Sequence, residues 1–262
     1  MFNLNILTTN QCNLSCSWCQ RKDFLLAPTD FLSDQDYTNI ILQNIQTHSF
    51  ENVSFSGGEP LLRLEFLLST ISKIKEIYPK IAIVLVTNGL LMTSNIAAFL
   101  NYYDVAVILS CEGLSNKDKN LSMLSSEAIK SLRSINKLEI NKLMFPNISF
   151  VPNIVEISSI FACPFQLALD TTKKYDISDI LYIQSELYKL VNFKTQISIS
   201  KTMEVCQTKP CVDLYPTGKL IQYDCDSISD WAGCPEIYNM MDSRDTLDYF
   251  ITVVNNFKQG WL

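Results

Sequence analysis

The sequence predicts an α/β fold: an open, partial barrel of about six strand–helix units, followed by a small cysteine-rich extension. Three observations carry that expectation. Short apolar runs alternate with helical patterns, and four of the seven glycines fall at the ends of three successive predicted strands. Beyond residue 195 the chain becomes turn-rich and gathers four of its nine cysteines.

The runs "LNIL", "NVSFS", "IAIVLV", "VAVIL", "NISFV" and "FQLAL" are short and rich in β-branched or aromatic residues, as buried strands are. Residues 33–47 read as a helix, with Ser33 as N-cap and Tyr37, Ile41 and Ile45 on one face. Residues 63–78 carry Leu64, Leu67, Ile71, Ile74 and Tyr78 at helical spacing and stop at Pro79. Residues 126–135 and 177–191 follow the same pattern. This order implies a parallel sheet with right-handed crossovers. Six units are too few for a closed eight-fold barrel and enough for an open one. The segment "CQTKPCVDLYPTGKLIQYDCDSISDWAGC" then breaks the pattern, and a last helix carries Leu247, Ile251 and Val254 on one face. The expected division is a barrel over 1–195 and an extension over 196–262.

Composition removes several function classes. The net charge is -6 and no lysine or arginine cluster stands out, so no nucleic-acid partner is expected. The apolar runs are too short to cross a bilayer, and "MFNLNILTTN" has neither a basic n-region nor a long apolar h-region. The expected compartment is the cytoplasm, where cysteines serve metal or redox chemistry more often than disulfides. His48, the sole histidine, stands apart from every motif, which argues against histidine acid–base catalysis.

The glycines locate the chemistry. Gly57, Gly58, Gly89 and Gly113 stand in "SFSGGEP", "VLVTNGL" and "ILSCEG". Glycine is used where backbone turns sharply or must be approached closely. In parallel α/β folds, sites form at the carboxyl ends of the strands. Cys12, Cys16 and Cys19, spaced C-x3-C-x2-C, also follow a strand, so four consecutive strands deliver unusual residues to one rim. A [4Fe–4S] cluster held by three thiolates keeps one iron open. Three thiolates plus water also suit zinc.

The segment "CNLSCSWC" resembles the CxxxCxxC cluster loop of radical S-adenosylmethionine (radical SAM) enzymes, including the aromatic Trp18 before the third cysteine. "SGGEPLL" is similar to that family's GGEP segment. "VTNG" and "SCEG" resemble its "TNG" and "S-x-D-G" segments, with Glu112 in place of the usual aspartate. The resemblance covers roughly residues 3–170 well and the rest loosely. It implies a partial (β/α)6 TIM-type barrel in which Cys12, Cys16 and Cys19 hold a [4Fe–4S] cluster and S-adenosylmethionine (SAM) ligates the fourth iron. One-electron cleavage of SAM then gives a 5′-deoxyadenosyl radical that abstracts a substrate hydrogen. It further implies that Gly58 and Glu59 meet the methionine ammonium, that Trp18 packs near adenine, and that Thr87, Asn88 and Ser110 contact ribose or carboxylate. Each of these has a plain structural alternative: core packing for Trp18, a left-handed turn for Asn88, a strand hydroxyl for Ser110. Lys119 and Arg133 are the candidates to meet the SAM carboxylate. An electron donor such as flavodoxin or ferredoxin is also implied.

Cys206, Cys211, Cys225 and Cys234 follow C-x4-C-x13-C-x8-C, a closed four-thiolate set suited to zinc or to an auxiliary [4Fe–4S] cluster. With Gly218 between its cysteines, the segment resembles the twitch extension, a shortened relative of the SPASM domain, and the resemblance implies one auxiliary cluster. Of the remaining cysteines, strand alternation turns Cys111 away from Ser110 and Glu112, as a plain buried thiol. Cys163 is a core residue, a replacement ligand, or a thiol that returns hydrogen to a substrate radical. Glu112 shares the side of Ser110 and either faces substrate or lies in a solvated loop.

Twitch and SPASM relatives often modify peptides. The leading expectation is therefore a peptide maturase forming thioether, carbon–carbon or epimerised centres. The alternative is a radical dehydrogenase of a small molecule such as a sugar or aminocyclitol. A non-catalytic metal-binding protein is the third reading. The first strand starts almost at Met1, so a peptide substrate needs an open barrel mouth or a separate peptide-recognition protein.

Overall fold

Alternation along each strand decides which face is buried. In the computed structural model, which describes residues 2–17, 19, 31–48, 50–113, 119–169, 174–190, 194–199, 211–223 and 244–258, one sheet runs through the molecule. Its strands are β1 (Phe2–Thr9), β2 (Phe50–Gly57), β3 (Ala82–Thr87), β4 (Ala106–Ser110), β5 (Leu138–Met144), β6 (Phe165–Leu169), β7 (Ile197–Ile199), β8 (Cys211–Leu214) and β9 (Leu220–Tyr223). The order is β7-β6-β5-β4-β3-β2-β1-β8-β9. Eight strands are parallel, and β9 returns antiparallel to β8. The sheet is open, since β7 and β9 are its two edges.

Helices α1 (Asp34–Thr47), α2 (Leu64–Ile77), α3 (Ser94–Tyr102), α4 (Ser126–Arg133), α5 (Val151–Ile160), α6 (Ile177–Lys189) and α7 (Arg244–Lys258) complete the βα units. Ser33 caps α1 by accepting the Asp36 N–H, as its position predicts. One face of the sheet, with Leu4, Ile6, Val53, Phe55, Ile83, Leu85, Val107, Leu109, Phe165 and Leu167, joins the apolar helix faces in a single core. Register pairing puts Asn3, Asn5, Asn52, Ser54, Val84, Ile108 and Asn141 on the other face, where they are half-buried.

One expectation is corrected. The fifth strand is not "NISFV": Asn147 takes a left-handed φ of 63°, and Val151 opens α5. Pro152 explains this, because a proline suits the first helical turn and cannot donate within a sheet. The true fifth strand, "LEINKLM", hides its alternation because Lys142 occupies a buried position between Ile140 and Met144. Helices α3 and α5 were also not among the predicted helices. Beyond residue 195 the chain adds β7 to one edge of the sheet and the β8–β9 hairpin to the other.

The β1–β8 junction is pinned by Tyr37, which is fully buried and stacked on Phe66 with ring centroids 5.3 Å apart. Its hydroxyl lies 2.7 Å from the Leu214 carbonyl and 3.2 Å from that of Leu7. Among the described residues no helix is long and apolar enough to cross a membrane.

Candidate active site

The loop carrying Cys12, Cys16 and Cys19 leaves the carboxyl end of β1, and its nearest support is the glycine pair after β2. Gly58 N–H donates to the Thr9 carbonyl at 2.6 Å, and Glu59 N–H donates to the Gln11 carbonyl at 2.8 Å. That approach requires glycine. A Cβ on Gly58 would lie 1.9 Å from the Gln11 oxygen, and Gly57 has φ 116° with its would-be Cβ 2.5 Å from the Thr9 oxygen. Below the loop, the Arg63 guanidinium donates to the Thr8 carbonyl at 3.0 Å and lies 4.3 Å from the Phe66 ring centroid.

Glu59 is 1% exposed and joins three segments. Its Oε1 accepts the Thr87 hydroxyl at 2.7 Å and the Leu61 N–H at 3.1 Å, and its Oε2 accepts the Asn88 N–H at 2.8 Å. Burial pushes its carboxyl above the ordinary range, and these three donors pull it back part of the way. The Asn88 side chain donates to Asn13 Oδ1 at 2.7 Å, which ties the "TNG" turn to the cysteine loop. Thr87 accepts the Gly89 N–H at 3.0 Å, and Gly89 takes the left-handed φ of 77° that this turn needs.

The structure thus brings together the cysteine loop, Gly58, Glu59, Thr87 and Asn88. Cys12 is exposed, Cys19 half-buried and Cys16 buried, and none forms a disulfide. Desolvation raises the Cys12 thiol and Glu59 and Cys19 add to the rise, while a backbone hydrogen bond from Leu14 and, more weakly, Lys119 oppose it. The Lys119 charge also reaches Glu59 and Glu112, so one ammonium bears on three groups of this rim. Arg133 is the last residue of α4.

Other predicted residues stand elsewhere. Ser110 ends β4, half-buried and in register with Asn141. Glu112, expected either to face substrate or to lie in a solvated loop, is 1% exposed: it is ion-paired with Lys142 Nζ and accepts the Leu143 N–H at 3.2 Å. Cys111 is buried as expected, with its pKa pushed up to about 11 by desolvation. Cys163 precedes the amino end of β6, on the rim opposite the cysteine loop, and burial pushes its pKa up to about 12. Trp18, Cys206, Cys225 and Cys234 lie outside the described residues; Cys211 opens β8, beside Asn3 of β1. Sequence reasoning missed Asn13, whose only signal is its position next to Cys12, and Lys142, which had none.

The residues present fit a thiolate-held iron–sulfur group. Three thiols outside any disulfide share one anchored loop, and a soft donor set of this kind suits iron–sulfur clusters or zinc. Among the described residues no three His, Cys, Asp or Glu side chains converge on one ion position. A cubane makes no such demand, since its thiolates bind separate irons.

A profile of the radical SAM superfamily matches residues 6–153. The GTP 3',8-cyclase of Streptomyces coelicolor is 29% identical over 131 residues, 49% of this chain and 35% of that protein. The radical SAM cyclopropyl synthase TigE of Paramaledivibacter caminithermalis is 26% identical over 214 residues, 72% of this chain and 43% of that protein. The chain therefore spans less than half the length of these two curated relatives. Among solved structures, anSMEcpe with bound AdoMet superposes with a TM-score of 0.62 at 14% identity, covering 99% of this chain and 96% of that one. SuiB of Streptococcus suis bound to S-adenosylmethionine gives 0.62 at 17% identity, covering 84% of this chain and 59% of that one. At such identities the two structures establish a shared fold.

Proposed function

The chain belongs to the radical SAM superfamily and is therefore an enzyme; from that premise we propose that it abstracts a hydrogen atom from a peptide substrate and carries an auxiliary cluster. The observation that carries the site assignment is the knot of Gly58, Glu59 and Asn88 around the cysteine loop. Cys12, Cys16 and Cys19 would hold the [4Fe–4S] cluster that, with SAM and a reductant, supplies the 5′-deoxyadenosyl radical. The chain's own residues position and shield. Gly58 allows backbone to close on the loop. Glu59 and the Gly58 carbonyl accept the methionine ammonium, as charge-assisted acceptors do. Lys119 meets the methionine carboxylate, and Thr87, Asn88 and Ser110 line the ribose side. Trp18 packs near adenine.

Cys206, Cys211, Cys225 and Cys234 are proposed to hold the auxiliary [4Fe–4S] cluster. Cys211 stands at the end of the sheet opposite the cysteine loop, a distance of roughly 20 Å along β1. The β8–β9 hairpin pairs Cys211 with Tyr223, two positions before Cys225. Cys163, on the same rim as Cys211, is proposed as a thiol near that end rather than near the radical source. Glu112 acts by positioning the loop after β4. A peptide substrate is supported by anSMEcpe, which shares the fold and is solved with AdoMet and a peptide. The test is deuterium transfer into 5′-deoxyadenosine from deuterated peptides encoded beside the gene. Transfer from a sugar or aminocyclitol, and from no such peptide, replaces this reading with a small-molecule dehydrogenase.

A further inference from the structure

Replacing a buried ion pair by well-packed apolar side chains is often neutral or stabilising, so stability alone does not account for the pair of Lys142 and Glu112. Lys142 occupies a core position of β5, between Ile140 and Met144. Its Nζ pairs with the Glu112 carboxylate, donates to the Leu143 carbonyl at 3.1 Å and lies 5.6 Å from the Phe145 ring centroid. Glu112 also accepts the Leu143 N–H at 3.2 Å, so its carboxylate is tied to both a side chain and the backbone of β5. Just before it, the Cys111 N–H donates to the Asn141 carbonyl at 3.1 Å. Just after it, Gly113 has φ 85°, and its would-be Cβ lies 2.7 Å from the Asn153 side chain of α5. The chain at Glu112 is therefore gripped from β5 and from α5.

The backbone of Glu112 passes this grip to Lys119. The Glu112 N–H donates to the Lys119 carbonyl at 3.1 Å. Lys119 needs such a hold, because its φ of 50° is a left-handed conformation that a lysine keeps only when its surroundings impose it. The residue held in this way is half-buried, and its charge bears on Cys12 and on Glu59, which belong to the cysteine loop and to its brace. A lysine side chain is long and rich in rotamers, so fixing its backbone restricts where its ammonium can reach and lowers the ordering cost of a contact with an anion.

We infer that Glu112 and Lys142 are positioning residues for SAM binding: their pair fixes the backbone of Lys119, and Lys119 then presents its ammonium to the methionine carboxylate. The inference rests on the proposed reading of Lys119 as the partner of that carboxylate, and it gives the buried pair a task that acts wholly through Lys119.

The test is a cycle of SAM affinities, measured by equilibrium titration of the full, anaerobically reconstituted chain. Four proteins enter it: the wild type, Lys119→Met, the double variant Lys142→Met, Glu112→Leu, and the triple variant that combines them. The double variant is expected to fold and to bind SAM about tenfold more weakly than the wild type. Lys119→Met is expected to lose at least about tenfold, and the triple variant to bind SAM no more weakly than Lys119→Met alone. Glu112→Asp, which keeps the charge and shortens its reach, is taken through the same cycle in case the double variant fails to fold, and is expected to weaken SAM only while Lys119 is present. Unchanged SAM affinity in the folded variants of the pair overturns the positioning role. An equal loss with and without Lys119 overturns it too, since a general loosening of the rim acts in both backgrounds. Either result leaves Lys119 at the carboxylate. Wild-type affinity in Lys119→Met overturns that reading instead, and the positioning role with it.

Discussion

Glu59 Oε2 accepts the backbone N–H of Asn88 at 2.8 Å, joining two loops that are 29 residues apart in sequence. The same Asn88 side chain holds Asn13 in the cysteine loop. The carboxylate is thus the brace that sets the height of the "TNG" turn, and it is also the group proposed to meet the methionine ammonium.

These two roles separate in mutants. Glu59→Gln keeps the shape but must present an NH₂ either to the Thr87 hydroxyl and the Leu61 N–H or to the Asn88 N–H, so two donors face each other in either orientation. We expect a loss of about 1–3 kcal/mol in stability and at least tenfold weaker SAM binding. Thermal unfolding and equilibrium SAM titration check this together. Unchanged SAM affinity in a folded Glu59→Gln protein removes Glu59 from the binding site and leaves only the brace.

Lys142 and Glu112 form an ion pair whose side chains are each only 2% exposed. Burial raises the Glu112 carboxyl, and Lys142 is the largest influence lowering it again. Removing one partner strands a buried charge, so Lys142→Met is expected to cost about 3–5 kcal/mol. The double variant Lys142→Met, Glu112→Leu should recover most of it, because well-packed apolar replacements of buried pairs are often neutral. Chemical denaturation of the four proteins completes the cycle. Additive losses in the double variant contradict a direct pairing.

Thiol reactivity offers a third check. Only the thiolate alkylates, and burial holds Cys111 and Cys163 at about 11 and about 12. In metal-free folded protein at about pH 8, iodoacetamide should label the exposed Cys12 well before either of them. Raising the pH should speed labelling of Cys163 throughout the neutral to mildly alkaline range. Peptide mapping reads each site. Early labelling of Cys163 contradicts the raised thiol of this half-buried residue.

The site was more legible than the fold's periphery, for a chemical reason. Cysteine triplets and paired glycines have few ordinary uses, so "CNLSCSWC" and "SGGEP" announce themselves, and the structure shows why Gly58 admits no side chain. What holds these parts together was invisible, because Asn88 with Asn13 and Tyr37 with Leu214 are contacts between distant segments of common residues. Glu112 looked like a substrate-facing acid because its partner sits on another strand 30 residues away. The same lysine disguised β5, breaking the apolar alternation that would have revealed it. The β8–β9 hairpin carries no long apolar run, and its place beside β1 follows from sheet pairing rather than from local sequence.

The most direct measurement is 5′-deoxyadenosine formation by the anaerobically reconstituted chain given SAM and dithionite, beside a variant with alanine at Cys12, Cys16 and Cys19. The account predicts product from the first and none from the second, with iron lost from the amino-terminal site alone. Equal product from both proteins, or no product from a chain whose first cluster is fully loaded, would contradict it.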